Sequence, residues 1–264
     1  MPHQESLRAG QLLDLQFPEL PNTLCGMVRG KRIQPRLLAS LPGNYTPGAR
    51  FPLLVYLKGS DGGAVTEHDI SYVRRLTADE GFVAVTMPLF KKSLDAAEIF
   101  KGVMIGAYDD YPLIARCYRT MLKALFHAVP NLDRQRSVMG GLSNGAHTTA
   151  LLLSCVDSFV LKHFAGFFLL EGGWHIASHH KVAIQRKRII YFLGGCRRRK
   201  VRRCLLDRMN ASHAMGRTPH VNIVTMPGVE HDFPEQYIPR LREWILGVQP
   251  AEQEKSGVHG KPRR

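Results

Sequence analysis

At 264 residues with 44% hydrophobic content, the chain can build one sizeable core, and α/β folds reach this length as a single domain. Its five cysteines (Cys25, Cys117, Cys155, Cys196, Cys204) form no C-x-x-C pair, which argues against a disulfide framework or a zinc site and fits a reducing compartment. The formal charge of +14, from 36 Lys and Arg against 22 acids, admits a polyanionic partner, although much of the excess is local.

The opening segment "MPHQESLRAGQLLDLQFPEL" carries Glu5, Arg8, Asp14 and Glu19 where a signal peptide would have a continuous apolar stretch. No later run approaches the roughly 18 apolar residues of a membrane span. Residues 1–30 read as an N-terminal extension, and the protein as soluble and cytoplasmic.

From there, strands alternate with helical patterns, the rhythm of a parallel sheet covered by helices. "FPLLVYLKG" (51–59) and "GFVAVTMP" (81–88) are apolar β-forming runs flanking a polar crossover helix, "EHDISYVRRLTADE". In "PLIARCYRTMLKALFHAV" (112–129), Ile114, Cys117, Met121 and Leu125 recur at helical steps between two prolines. "RSVMGG" (136–141) is a strand, and "NGAHTTALLLS" (144–154) a buried helix directly after it. "FAGFFLLEGG" (164–173), "RIIYFLGG" (188–195) and "VNIVTMPG" (221–228) complete the strands. Ile238, Leu241 and Ile245 mark a last amphipathic helix, and the polar stretch from Val248 reads as a disordered tail, 248–264. The region 90–112 is the natural source of a specificity loop.

The string "GGLSNG" contains G-x-S-x-G as Gly141, Leu142, Ser143, Asn144 and Gly145. The pattern has a mechanical meaning only between a strand and a helix, which is where it falls here. A serine on that tight turn is held out at the carboxyl edge of the sheet, with the next helix aiming its N-terminal amides toward developing charge. An ordinary glycine-rich βα turn with an incidental serine is the plain alternative. "KGSDGG" (58–63) follows the first of the parallel-sheet strands, where the amide of Ser60, ahead of that of Asp61, can join that of Asn144 as an oxyanion hole. "MPGVEHDFP" places His231 in the loop between the last strand and the last helix, in the chain order serine, acid, histidine. His147, His175, His179 and His180 have no such argument from position.

These strings, with "RLLASLPGNYTPGARFPLLVYLKGSDGG", "NLDRQRSVMGGLSNGAH", "IIYFLGG" and "PGVEHDFPEQY", span roughly residues 36–247. Together they resemble α/β-hydrolases of the esterase group that includes feruloyl-esterase-like, polyhydroxyalkanoate-depolymerase-like and dienelactone-hydrolase-like enzymes. The resemblance implies an α/β-hydrolase fold over 31–247, with a mostly parallel sheet, helices on both faces and no cofactor or metal. It also implies ester or thioester hydrolysis through an acyl-enzyme. Ser143 is then the nucleophile, His231 the base, Asn144 and Ser60 the oxyanion donors, and a small-molecule ester the partner.

Two positions depart from the pattern. Lys58 and Gly59 stand where such enzymes usually have histidine and glycine, a change that leaves a backbone donor intact. The slot for the catalytic acid, just after "IIYFLGG", holds Cys196, Arg197, Arg198, Arg199 and Lys200, whose cations would oppose an imidazolium. Glu171, at the end of the preceding strand, is one replacement. Asp207 is another, Glu230 and Asp232 adjoin His231, and the acid could be missing altogether. Beside the esterase reading stand a catalytically impaired relative that acts as a binding protein and a binder of nucleic acid or another polyanion through the basic 186–203 segment. That segment is equally a solvated face, and no aromatic residue interleaves with 196–203.

Overall fold

The computed structural model describes residues 7–79, 81–101, 108–173, 187–194 and 221–247. Its eight strands form one sheet: β1 (Leu12–Gln16), β2 (Arg36–Ser40), β3 (Leu53–Leu57), β4 (Val83–Met87), β5 (Val138–Leu142), β6 (Gly166–Leu170), β7 (Arg188–Gly194) and β8 (Val221–Met226). They lie in the order β1-β2-β4-β3-β5-β6-β7-β8. Only β2 runs against the others: its pairings with β1 and β4 are antiparallel, and every pairing from β4 to β8 is parallel. This is the α/β-hydrolase fold expected from the sequence.

Strands β3 to β6 are buried along almost their whole length because both faces are covered, whereas β8, at the sheet edge, exposes Asn222 and Thr225. Along β3, Leu53, Val55 and Leu57 face one core layer while Leu54 and Tyr56 face the other, the period of two that a pleated strand imposes. The first layer is closed by α4 (Tyr111–Ala128), α5 (Asn144–Ser154) and α6 (Ser158–His163). Ile114, Cys117, Met121 and Leu125 form the wholly buried stripe of α4, with Pro112 in its first turn. The second layer is closed by α2 (Glu67–Leu76) and by the C-terminal helix, here α7 (Ile238–Ile245). The apolar side chains on α7, Ile238, Leu241, Trp244 and Ile245, are all buried, each contributing about 1.5–3 kcal/mol by its removal from water. Helix α5 lies inside the protein, with every residue buried.

Five elements were not anticipated, β2 among them. β1 and a short helix, α1 (Leu24–Val28), lie within the stretch read as an N-terminal extension. β1 pairs in register with β2, Leu12 opposite Ser40, and Leu24 and Cys25 are buried. Helix α6 is only six residues long, capped by the Asp157 carboxylate accepting from Val160 N at 2.8 Å. The specificity region expected at 90–112 contributes α3 (Ala96–Lys101), and Lys91, buried beside it, pairs with Glu98 at 3.0 Å and Asp110 at 3.4 Å.

Of the basic residues in the 186–203 segment, only Lys187 and Arg188 fall in the described region. Both are used internally: Lys187 Nζ donates to Phe164 O at 2.8 Å, and Arg188 Nη2 donates to Trp244 O at 2.7 Å. Residues 195–203, Asp207 and the tail lie outside the described residues. Among the described residues, no helix is long and apolar enough to cross a membrane.

Candidate active site

The carboxyl ends of β3, β5, β6 and β8 bring together every residue singled out for the site. Ser143 occupies the single residue between β5 and α5 at φ 50° and ψ −114°, a conformation that strains any side chain bearing a Cβ. The turn is possible because its neighbours are glycines. A Cβ on Gly141 or Gly145 would collide with the backbone oxygen of Leu57 on β3. The elbow is then fastened on both sides: Ser143 N donates to Leu170 O of β6 at 2.8 Å, and Ser143 O accepts from His147 N of α5 at 2.8 Å.

His231 arrives from the β8–α7 loop, and its Nε2 lies 2.8 Å from Ser143 Oγ. For Nε2 to accept the serine proton, the imidazole must carry its own hydrogen on Nδ1. That atom faces Glu171, whose Oε2 is 3.9 Å away, longer than a hydrogen bond and within reach of an ion pair. Glu171 is wholly buried, while the His231 side chain is 59% exposed. The other carboxylate oxygen, Oε1, accepts from the Gly194 amide at the end of β7. The carboxylate therefore reaches across to the strand whose following loop was expected to supply it.

The loop after β3 completes the arrangement. Ser60 sits at φ 55° in a turn closed by Gly62 N donating to Gly59 O at 2.9 Å. Asn144 Nδ2 donates to Ser60 O at 2.7 Å, tying that loop to the elbow. Because the Gly59 carbonyl faces into its turn, the trans peptide points the Ser60 amide out of it. Six described non-glycine residues have positive φ, and Ser60, Ser143 and Glu171 are three of them. Strained backbone is thus concentrated where these side chains converge.

The alternative acids behave differently. Asp232 Oδ1 accepts from Phe233 N at 2.7 Å and so shapes its own turn, and Glu230 is exposed. Lys58 is paired with Asp69 at 2.9 Å. Three contributors went unread in the sequence. The acid-bearing turn is held by Gly173 N donating to His147 Nδ1 at 3.3 Å and by Tyr191 Oη donating to Gly173 O at 3.1 Å. A Cβ on Gly194 would collide with Val229 O and come within 2.9 Å of Glu171 Oε1, so this glycine lets the acid and the histidine loop approach. The glycine pairs that follow Glu171 and end β7 were the available signal.

The chain has the α/β-hydrolase fold, and Ser143, His231 and Glu171 come from separate loops to meet at the carboxyl edge of its sheet. Solved structures of that fold superpose over most of the chain. A ferulic acid esterase aligns with TM-score 0.59 and 14% identity, over 92% of this chain and 98% of that one. The S-formylglutathione hydrolase of Agrobacterium tumefaciens aligns with TM-score 0.56 and 13% identity, over 92% and 97%. The acylaminoacyl peptidase of Pyrococcus horikoshii gives TM-score 0.55 and 13% identity over 89% of this chain, which spans 40% of that larger one. No family model matches the sequence, and no curated protein matches it.

Proposed function

We propose that the protein is a serine hydrolase that cleaves a carboxylic ester or thioester of a small molecule through an acyl-enzyme. The observation that carries this reading is the 2.8 Å contact between Ser143 Oγ, on its strained elbow, and His231 Nε2. Ser143 Oγ attacks the carbonyl carbon while His231 Nε2 takes its proton, and the carbonyl electron pair moves onto oxygen. The amides of Asn144 and Ser60 receive that oxyanion. Collapse expels the alcohol or thiol, which takes the proton from His231 and leaves the acyl group on Ser143. Water, deprotonated by His231, then attacks the acyl carbon, and the second collapse returns the proton to Ser143 and frees the acid. Glu171 keeps the Nδ1–H tautomer in place and stabilises the imidazolium formed in each half-reaction.

The neighbours named as a ferulic acid esterase and an S-formylglutathione hydrolase support an acyl-transfer substrate over other chemistries. Cys25 and Cys117, buried as free thiols, support a cytoplasmic setting. The 3.9 Å gap between Glu171 and His231 favours a second reading, an impaired homologue that binds a ligand without turning it over. A fluorophosphonate probe separates the two. Covalent labelling of Ser143, together with p-nitrophenyl butyrate hydrolysis that disappears in Ser143→Ala, supports the hydrolase. A folded protein that resists the probe, or unchanged turnover in Ser143→Ala, removes it.

A further inference from the structure

The loop after β3 is made of backbone that needs support from outside itself. Between Lys58, the first residue past β3, and Thr66, the N-cap of α2, Ser60, Gly62 and Gly63 have φ values of 55°, 78° and 59°. Glycine adopts such values freely, but for Ser60 the conformation is strained and persists only where the surroundings impose it. Two hydrogen bonds are internal to the loop, Gly62 N donating to Gly59 O at 2.9 Å and Gly63 N donating to Asp61 Oδ1 at 2.9 Å. They shape the turn without fixing where it sits at the end of the sheet. The bond from Asn144 Nδ2 to Ser60 O, at 2.7 Å, fastens the tip of the loop to the elbow, and the base needs a tie of its own.

Lys58 and Asp69 supply that tie. Lys58 Nζ stands 2.9 Å from Asp69 Oδ1, and the Asp69 side chain is only 6% exposed. Asp69 is itself held in place: from the first turn of α2 its Oδ2 accepts from Thr66 N at 2.9 Å and from Thr66 Oγ1 at 2.8 Å, which leaves Oδ1 for the lysine. The lysine arm passes beside Gly63, where a Cβ would stand 3.5 Å from Nζ. One ion pair therefore bridges the residue that enters the loop and the helical turn that receives it, with Ser60 between them. Removing the ammonium would leave a buried carboxylate without its counter-charge, so the pair resists opening. We propose that Lys58 and Asp69 are positioning residues for the oxyanion hole, a clamp across the base of the loop that aims the Ser60 amide at the carbonyl held over Ser143; the inference rests on the hydrolase reading above.

The test is steady-state hydrolysis of p-nitrophenyl butyrate by Lys58→Met, Asp69→Asn, the double variant and Lys58→Arg, with a urea midpoint measured for each. Misplacing an oriented group by about 1 Å can cost about 100-fold, and losing one oxyanion donor outright costs about 100- to 1,000-fold. Lys58→Met and Asp69→Asn should each lower kcat by about 10- to 100-fold while KM stays within about twofold of the parent, the pattern of an interaction made only in the transition state. Because both substitutions break the same interaction, the double variant should fall no further than either single one, whereas independent effects would multiply. Lys58→Arg, which keeps the charge and the reach, should recover most of the rate. Butylboronic acid, whose adduct on Ser143 is tetrahedral and anionic, should bind Lys58→Met more weakly by the same factor as kcat/KM falls. In a parent that hydrolyses the ester, a change confined to the urea midpoint, a rise in KM with kcat intact, or a double variant whose loss is the product of the single losses would overturn the clamp and leave the hydrolase standing. A parent that does not turn over the ester overturns the hydrolase reading, and the clamp with it.

Discussion

Glu171→Gln tests the reassignment of the acid most directly, because it removes one charge and almost no volume. At the observed separation of 3.9 Å, a carboxylate and an imidazolium attract by about 4 kcal/mol in an effective dielectric of 20 and by about 1 kcal/mol in bulk water. Glu171 is wholly buried and His231 is 59% exposed, so the effective value lies between those limits. At about 1.4 kcal/mol per decade, loss of the charge should lower kcat by between about fivefold and 1,000-fold. The amide adds a second effect in the same direction. With Gln Oε1 still accepting from Gly194 N, its NH₂ group faces His231 Nδ1, which must then become an acceptor. That tautomer places the hydrogen on Nε2, where it cannot take the proton of Ser143. The assay is steady-state hydrolysis of p-nitrophenyl butyrate, with circular dichroism to check folding. The expected result is a fall in kcat with KM nearly unchanged, since the carboxylate is wholly buried beneath the imidazole. A folded Glu171→Gln protein with kcat within about twofold of the parent would refute the reasoning.

Other substitutions probe the supports around that carboxylate and elsewhere in the fold. His147→Leu leaves the Gly173 amide without its acceptor, a defect of about 1–3 kcal/mol. It should lower kcat by at least about fivefold without raising KM, whereas His147→Asn, which restores an acceptor, should recover most of the loss. Gly194→Ala drives a methyl group between Val229 O and Glu171 Oε1, so the protein should fold with about 1–3 kcal/mol less stability in urea and lose turnover out of proportion to that. Asp110→Ala strips a buried carboxylate from Lys91, leaving Glu98 paired with it, and should cost about 3 kcal/mol in a denaturant melt with little change in KM. Burial raises the Cys117 thiol to about 11 and leaves it with no exposed surface. Iodoacetamide at pH 8 should therefore spare Cys117 in the native protein and alkylate it in guanidinium, as read by peptide mass spectrometry.

What could be read from the sequence, and what could not, follows from the range over which each constraint acts. β3 through β7 were legible because strands covered on both faces become short continuous apolar runs, as in "LLVYL" and "GFFLL", and the edge strand β8 by its β-branched run closed by Pro-Gly. β1, with its half-exposed "LLDLQ", and the six-residue α6 lie below the length and contrast at which periodicity speaks. The elbow at Ser143 was legible because its demand is local: Gly141 and Gly145 are needed by backbone packed against them, and they sit two residues away in sequence.

The acid imposes no such local demand. The usual slot after β7 is filled with cations, and nothing in the neighbourhood of Glu171 alone says that its carboxylate crosses to the Gly194 amide or that the His231 loop closes over it. Those contacts join residues far apart in the chain, through parallel pairing that sets β6 beside β7. Yet Gly172 and Gly194 are what the crossing requires. Gly172 has no room for a Cβ, which would sit 2.6 Å from Ser143 O, and Gly194 has none beside the carboxylate it binds. On the proposed assignment of Glu171, moving the acid by one strand left its mark as missing side chains. If that account is right, a carboxylate returned to the position after β7 should fail to rescue Glu171→Gln while Gly194 still holds the amide, and should rescue it only where the loop that follows can reach His231 Nδ1.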